Sequence, residues 1–180
     1  MRIIIGGLAG TGKSSLSRLI ASSMGIPLLP VGSIFRDLAR ERGVTLVELN
    51  AQMLLEPYVD EEVAKRIRDF VDQRNYCVVE GWFAWYCVRD LQGIFRVKLT
   101  CQDLERFVRI AIREQSALKM VKAETQMRET MMIARFAERC HVPDWNDDRH
   151  FDFVIDTTKL DHSQVYEAVL SAISSRVITP

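Results

Sequence analysis

No apolar run in this 180-residue sequence is long enough to cross a bilayer, and its N-terminal residues show no signal-peptide cleavage pattern. A cytoplasmic protein that does not engage a membrane is expected. A charge imbalance is lacking too, since 24 Lys and Arg match 24 Asp and Glu. Zero net charge argues against the broad basic footprint that duplex nucleic acid requires, while leaving room for a local basic cleft. Cys77, Cys87, Cys101 and Cys140 form no C-x-x-C pair and have no histidine at metal-ligand spacing. They read as free thiols in a reducing compartment. His141, His150 and His162 fall in polar stretches near predicted loops, where surface residues are expected. Internal repeats and low-complexity linkers are missing, so one domain over 1–180 is the simplest organisation.

What the chain does have begins at residue 7. Gly7-Leu8-Ala9-Gly10-Thr11-Gly12-Lys13-Ser14 fits the phosphate-loop pattern G-x-x-x-x-G-K-[S/T]. The apolar run Arg2-Ile3-Ile4-Ile5 before it reads as a buried strand, and Leu16, Leu19, Ile20 and Met24 behind it keep helical spacing. Strand, glycine loop and helix are the context this motif needs. Its glycines let backbone N–H groups converge on phosphate oxygens, and the helix N-terminus adds partial positive charge. Lys13 is expected to reach the β- and γ-phosphates and the Ser14 hydroxyl to ligate magnesium. Gly7, Gly10, Thr11, Gly12, Lys13, Ser14 and Ser15 form the expected ATP-binding set.

Strands and helices then alternate, which predicts an α/β fold: a parallel sheet flanked by helices on both faces. Strands are expected over 26–31, 76–80, 94–99 and 151–155. Ser33 is expected to cap a helix ended by Gly43, and Thr45 with Glu48 forms a capping box for a helix stopping near Pro57. Asp60 is expected to cap the next helix, with Val63, Ile67, Phe70 and Val71 inward. Thr100 is expected to cap another, with Leu104, Phe107, Val108, Ala111 and Ile112 inward. A long charged helix is predicted over 117–139 and a last helix over 164–176.

Beyond the loop, Glu80 ends a buried strand before Gly81. A carboxylate at the C-terminal end of a strand lies where open α/β sheets gather ligands. There it can hold magnesium or its water shell, or take a proton from an acceptor. Arg106, Arg109 and Arg113 share one helix flank, and Arg128, Arg135 and Arg139 share a face of the next helix. Guanidinium forks stabilise the charge that spreads over a transferring phosphoryl group. Two such helices, joined by Glu114-Gln115-Ser116, predict a lid over about 109–139 that closes on the phosphates. Arg109, Arg113, Arg128 and Arg135 are its candidate catalytic residues, with Lys13 and Glu80.

These dispersed, collinear segments resemble the short archaeal-type cytidylate kinases of the P-loop nucleoside monophosphate kinase superfamily. Gly32-Ser33-Ile34-Phe35-Arg36-Asp37-Leu38-Ala39 is similar to that family's acceptor-binding helix, within an acceptor segment over about 32–75. Val78-Val79-Glu80-Gly81 resembles its strand end near magnesium. Arg109-Ile110-Ala111-Ile112-Arg113-Glu114 and Arg128-Glu129 with Arg135-Phe136 resemble its lid, and Phe151–Thr157 its adenine-flanking loop. The resemblance implies Arg36 as the grip on the acceptor's phosphate, Asp37 and Gly81 beside it, Thr157 near ATP, a monomer, and a nucleotide or nucleotide-like acceptor as its partner. One departure stands out. Where the family usually places arginine after Glu-Gly, this chain has Trp82, in an aromatic run that could stack a base.

The expected function is transfer of the γ-phosphoryl group of ATP, with magnesium, to a pyrimidine nucleoside monophosphate, CMP or dCMP. The alternative is a hydroxyl acceptor: a nucleoside, a small metabolite or a hydroxymethylated pyrimidine in DNA, with Asp37 or Glu80 as base. Nucleic acid enters only under that alternative. A nucleotide-binding switch is a third reading, disfavoured by the arginine-rich lid.

Overall fold

Along β1 (Arg2–Gly6) side chains alternate between the two faces of the sheet, so Ile4 enters one core while Ile3 and Ile5 enter the other. Burial on both faces is what a strand at the centre of a parallel sheet requires. The structure is a computed structural model and describes residues 1–142 and 144–177. Among these, β1 is the middle strand of five, with β2 (Leu28–Pro30), β3 (Cys77–Glu80), β4 (Ile94–Thr100) and β5 (Phe153–Asp156) arranged in the order β2-β3-β1-β4-β5. All pairings are parallel, and Ile5 lies opposite Glu80 and Val97. The predicted α/β class holds. The order matters for function, because it sets the end of β3 directly beside the loop that leaves β1.

One face of the sheet is covered by α1 (Lys13–Met24) and α8 (His162–Val177), through Leu16, Ile20, Val165, Val169 and Ile173. The other carries α2 (Val31–Glu41), α3 (Leu46–Leu55), α4 (Pro57–Asp72) and the short α5 (Ala84–Cys87). The predicted capping box forms as read: Glu48 N–H donates to the Thr45 hydroxyl at 3.2 Å, and Thr45 N–H donates to Glu48 Oε2 at 2.7 Å. Gly25 ends α1 in the left-handed region, as expected.

Three other capping expectations are corrected. Helix α2 begins at Val31, and Ser33, inside it, donates its hydroxyl back to the Pro30 carbonyl at 2.7 Å. Asp60 does not cap α4, because Pro57 starts that helix one turn earlier, at a position where a missing N–H costs nothing. Thr100 remains the last residue of β4, and Gln102 precedes α6 (Asp103–Glu114). The inward face of α6 also differs. Leu104 and Ile112 are 68% and 74% exposed, while Arg106, Phe107 and Ile110 are buried. An ion pair, rather than hydrocarbon, occupies part of that stripe.

The long helix α7 (Leu118–Cys140) matches its prediction closely. It is not detached along its whole length, however. Phe136 is buried in the main core, while the N-terminal half touches the body through a small cluster of Phe107, Ile110 and Val121 against Ala9. All four cysteines are free, and no helix of the described residues is long and apolar enough to cross a membrane.

Candidate active site

The loop between β1 and α1 is built by close approach. A side chain at Gly7 would bring its Cβ to 2.3 Å from the Leu99 carbonyl oxygen, and one at Gly10 to 2.6 Å from that of Arg106. Both residues have positive φ, 134° and 80°, so only glycine serves at either. The N-terminus of α1 follows with neither a side-chain cap nor an acidic residue in its first turn. Its leading N–H groups are therefore left for an anion, and the helix dipole adds to the attraction. Thr11 is buried and donates its hydroxyl to the Leu8 carbonyl at 2.9 Å. That side chain shapes the loop from inside. The Ser14 hydroxyl makes no hydrogen bond within the described residues, and Ser15 continues the first turn, its N–H on the Gly12 carbonyl at 3.1 Å.

Lys13 folds over the loop and donates to the Leu8 carbonyl at 2.7 Å. Burial pulls its pKa down to about 8, while the Glu80 and Glu129 carboxylates oppose the shift and Arg106 and Arg113 add to it. Those four side chains come from β3, α6 and α7. Arg106 reaches the Ala9 carbonyl at 2.8 Å and Glu129 at 2.9 Å, so α6 and α7 meet at the phosphate loop. Glu80 arrives through the sheet register, reinforced by a hydrogen bond from Gly81 N–H to the Ile5 carbonyl at 3.1 Å.

The arginines divide. Arg109 donates to the Thr157 hydroxyl at 3.2 Å and to the Thr157 carbonyl at 2.8 Å, and pairs with Glu105 at 2.9 Å. These contacts fasten α6 to the loop after β5. Thr157 is itself buried, its hydroxyl 3.0 Å from the carbonyls of both Thr11 and Thr100. It ties that loop to the phosphate loop. Arg113 is exposed and pairs only with its neighbour Glu114. Arg128 is exposed and makes no hydrogen bond or ion pair, as is true of Arg36 on α2. Asp37 is engaged by Arg40 at 2.6 Å on the outer surface of α2. Arg135 is buried beside Asp60.

Trp82 is partly buried within an aromatic cluster. It packs edge-on against Phe136 and Trp145, with ring centroids 5.0 Å apart in each case, and tilts onto Phe83. The aromatic run is chiefly a packing device that joins the end of β3 to α7, with only a 10 Å³ cavity between the rings. Gly81 is required by packing as well, since a Cβ there would meet Val31 at 2.8 Å.

Arg106 is the site residue that sequence reasoning undervalued. Its guanidinium spans Glu129 at 2.9 and 3.2 Å, Asp103 at 2.6 Å and the Ala9 carbonyl at 2.8 Å. One side chain thus joins the phosphate loop, α6 and α7. Helical spacing carried no signal for this, because it grouped Arg106 with Arg109 and Arg113 on the charged flank.

Comparison with known proteins agrees with this geometry. A family model described as AAA domain matches residues 3–131. A cytidylate kinase from Methanothermobacter thermautotrophicus is 33% identical over 161 residues, spanning 89% of this chain and 98% of that one. The chain belongs to the cytidylate kinase family. It is accordingly a P-loop nucleotide kinase, an ATP-dependent phosphotransferase. A second cytidylate kinase, from Natronomonas pharaonis, is 31% identical over 97% of the chain and 90% of its own length. Among solved structures, an uncharacterized protein from Eubacterium ventriosum superimposes with a TM-score of 0.70 at 17% identity, over 97% of this chain and 99% of that one. Shikimate kinase from Bacteroides thetaiotaomicron gives 0.63 at 14%, over 97% and 98%. These two likenesses concern the fold, which this nucleotide kinase shares with them.

Proposed function

We propose that this kinase transfers the γ-phosphoryl group of ATP to a pyrimidine nucleoside monophosphate, CMP or dCMP. The observation that carries the reading is the collinear likeness to cytidylate kinases across nearly the whole chain, acceptor helices and lid included. The disposition of charge supports it. Arg36 stands exposed and unpartnered on the acceptor-side helix, while Arg113 and Arg128 stand exposed on α6 and α7. Two anionic partners need positioning and charge neutralisation more than a strong base. Lys13 and the uncapped start of α1 would hold the donor phosphates, with Arg109, Arg113, Arg128 and Arg135 supplying positive charge as the phosphoryl group moves. Ser14 and Glu80 would hold the magnesium ion, which supplies further charge neutralisation; such ions take one or two protein oxygens and complete their shell with phosphates and water.

A hydroxyl acceptor is favoured by one observation, the aromatic Trp82 where the family usually has a guanidinium. The proposed base Asp37, however, is held by Arg40 on an outer surface. Arg36→Ala separates the two readings. With a nucleoside monophosphate acceptor it should raise the acceptor KM by roughly 10-fold or more and leave the KM for ATP near normal, because it removes a charge-assisted contact to one substrate only. With a hydroxyl acceptor, Arg36→Ala would be silent and Asp37→Asn would abolish turnover.

A further inference from the structure

Where α4 meets α7, a single carboxylate faces two guanidiniums. Asp60, in the first turn of α4, accepts a hydrogen bond from Arg139 on Oδ2 at 2.6 Å. The same oxygen lies 3.4 Å from Nε of Arg135, close enough for charge pairing and too poorly placed for a hydrogen bond. All three side chains are largely buried, Arg135 most deeply at 5% exposure. Asp60 Oδ1 and Arg135 Nε are both buried without a partner.

The Arg135 guanidinium is thus buried with its Nε unsatisfied beside a carboxylate whose Oδ1 is itself orphaned. A buried charge without full compensation costs several kcal/mol, so such an arrangement persists only where something else requires it. Burial pushes the Arg135 guanidinium below its ordinary value, Asp60 opposes that shift, and Arg139 adds to it. Arg135 makes no hydrogen bond to any described residue. Its donors are held in place yet unspent, which suits a planar fork meant to receive the oxygens of a phosphate. The next residue, Phe136, packs on Trp82 directly after Glu80-Gly81, so Arg135 is anchored to the wall that carries Glu80.

We propose that Asp60 is a positioning residue for phosphoryl transfer: its carboxylate fixes the guanidinium of Arg135, through α4 and α7, where it meets the phosphate that moves between donor and acceptor. This rests on the phosphoryl-transfer role given to Arg135 above. Asp60 touches neither substrate. It acts by removing the rotamer freedom of a long side chain before the reaction, and it couples the acceptor-side helix to the second lid helix. Misplacing a transition-state group by about 1 Å can cost 100-fold in rate.

The test is a double-mutant cycle on turnover with ATP and CMP. Asp60→Asn keeps the size and one acceptor oxygen while removing the charge. It should lower kcat roughly 10- to 100-fold, with the KM for ATP changed by no more than about twofold. Arg135→Ala should lower kcat at least as far, and adding Asp60→Asn to it should lower kcat little further, because the group being positioned is already gone. Equal losses from Asp60→Asn with and without Arg135 would overturn the positioning role, as would a fully active Asp60→Asn. Normal turnover in Arg135→Ala alone would instead overturn the role of Arg135, and the proposal with it. If Asp60→Asn does not fold, as judged by ATP binding and circular dichroism, Asp60→Glu carries the same cycle, since it keeps the charge and shifts the carboxylate by one methylene.

Discussion

Lys13 serves best when protonated, yet its surroundings favour the neutral amine. Burial brings its pKa from 10.5 to about 8. The protonated fraction in the free enzyme therefore falls as pH rises through that value. kcat/KM for ATP, which reports the free enzyme, is expected to decline above about pH 8, while kcat holds to higher pH because bound phosphates stabilise the cation. A kcat/KM profile that stays flat to pH 10 would contradict this. Arg106 makes the opposite case, a charge whose value is structural. Arg106→Ala would strand the buried Glu129 carboxylate and should cost about 3–5 kcal/mol of stability. Urea unfolding of that variant against wild type measures the loss, and an unchanged midpoint would place the strength of this junction elsewhere.

Helices α6 and α7 show how pattern and packing can diverge. Spacing located both helices within a few residues, yet it assigned Leu104 and Ile112 to the core, where the structure exposes them. Periodicity ranks residues by polarity, and it could not foresee that Arg106 would be buried by a partner 23 residues away on another helix. The same limit applies to the arginine face of α7. Arg128 and Arg135 fall on one face by spacing, but Arg135 is buried at α4 while Arg128 is exposed. The candidate mobile part of the lid is narrower than 109–139, because Phe136 and the Asp60 contacts fasten its second half. Arg113 and Arg128, the exposed pair, should act mainly in the transition state. Alanine at either is expected to lower kcat by roughly two to three orders of magnitude with little change in ATP affinity. Steady-state kinetics with ATP titrations checks this, and normal turnover in both variants would restore the reading of a solvated helix face.

At the scale of the whole molecule, the geometry of the phosphate loop was legible because backbone demands create it. Gly7 and Gly10 fit where no side chain can, and Lys13, Ser14 and Glu80 follow from strand, loop and register. The acceptor half depends on contacts between helices far apart in the chain. Asp60 reads as a helix cap until α7 is seen against it, and the packing of Trp82 on Phe136 and Trp145 brings together residues far apart in the chain. Acceptor identity is therefore the claim to test most directly. The purified protein would be incubated with γ-labelled ATP and magnesium against CMP, dCMP, the other nucleoside monophosphates, free nucleosides and DNA bearing hydroxymethylated pyrimidines. Label is expected in CDP or dCDP, with kcat/KM for CMP or dCMP at least about tenfold above any other acceptor, a preference of about 1.4 kcal/mol. Label in a nucleoside or in modified DNA, with none in any nucleoside diphosphate, would contradict the assignment.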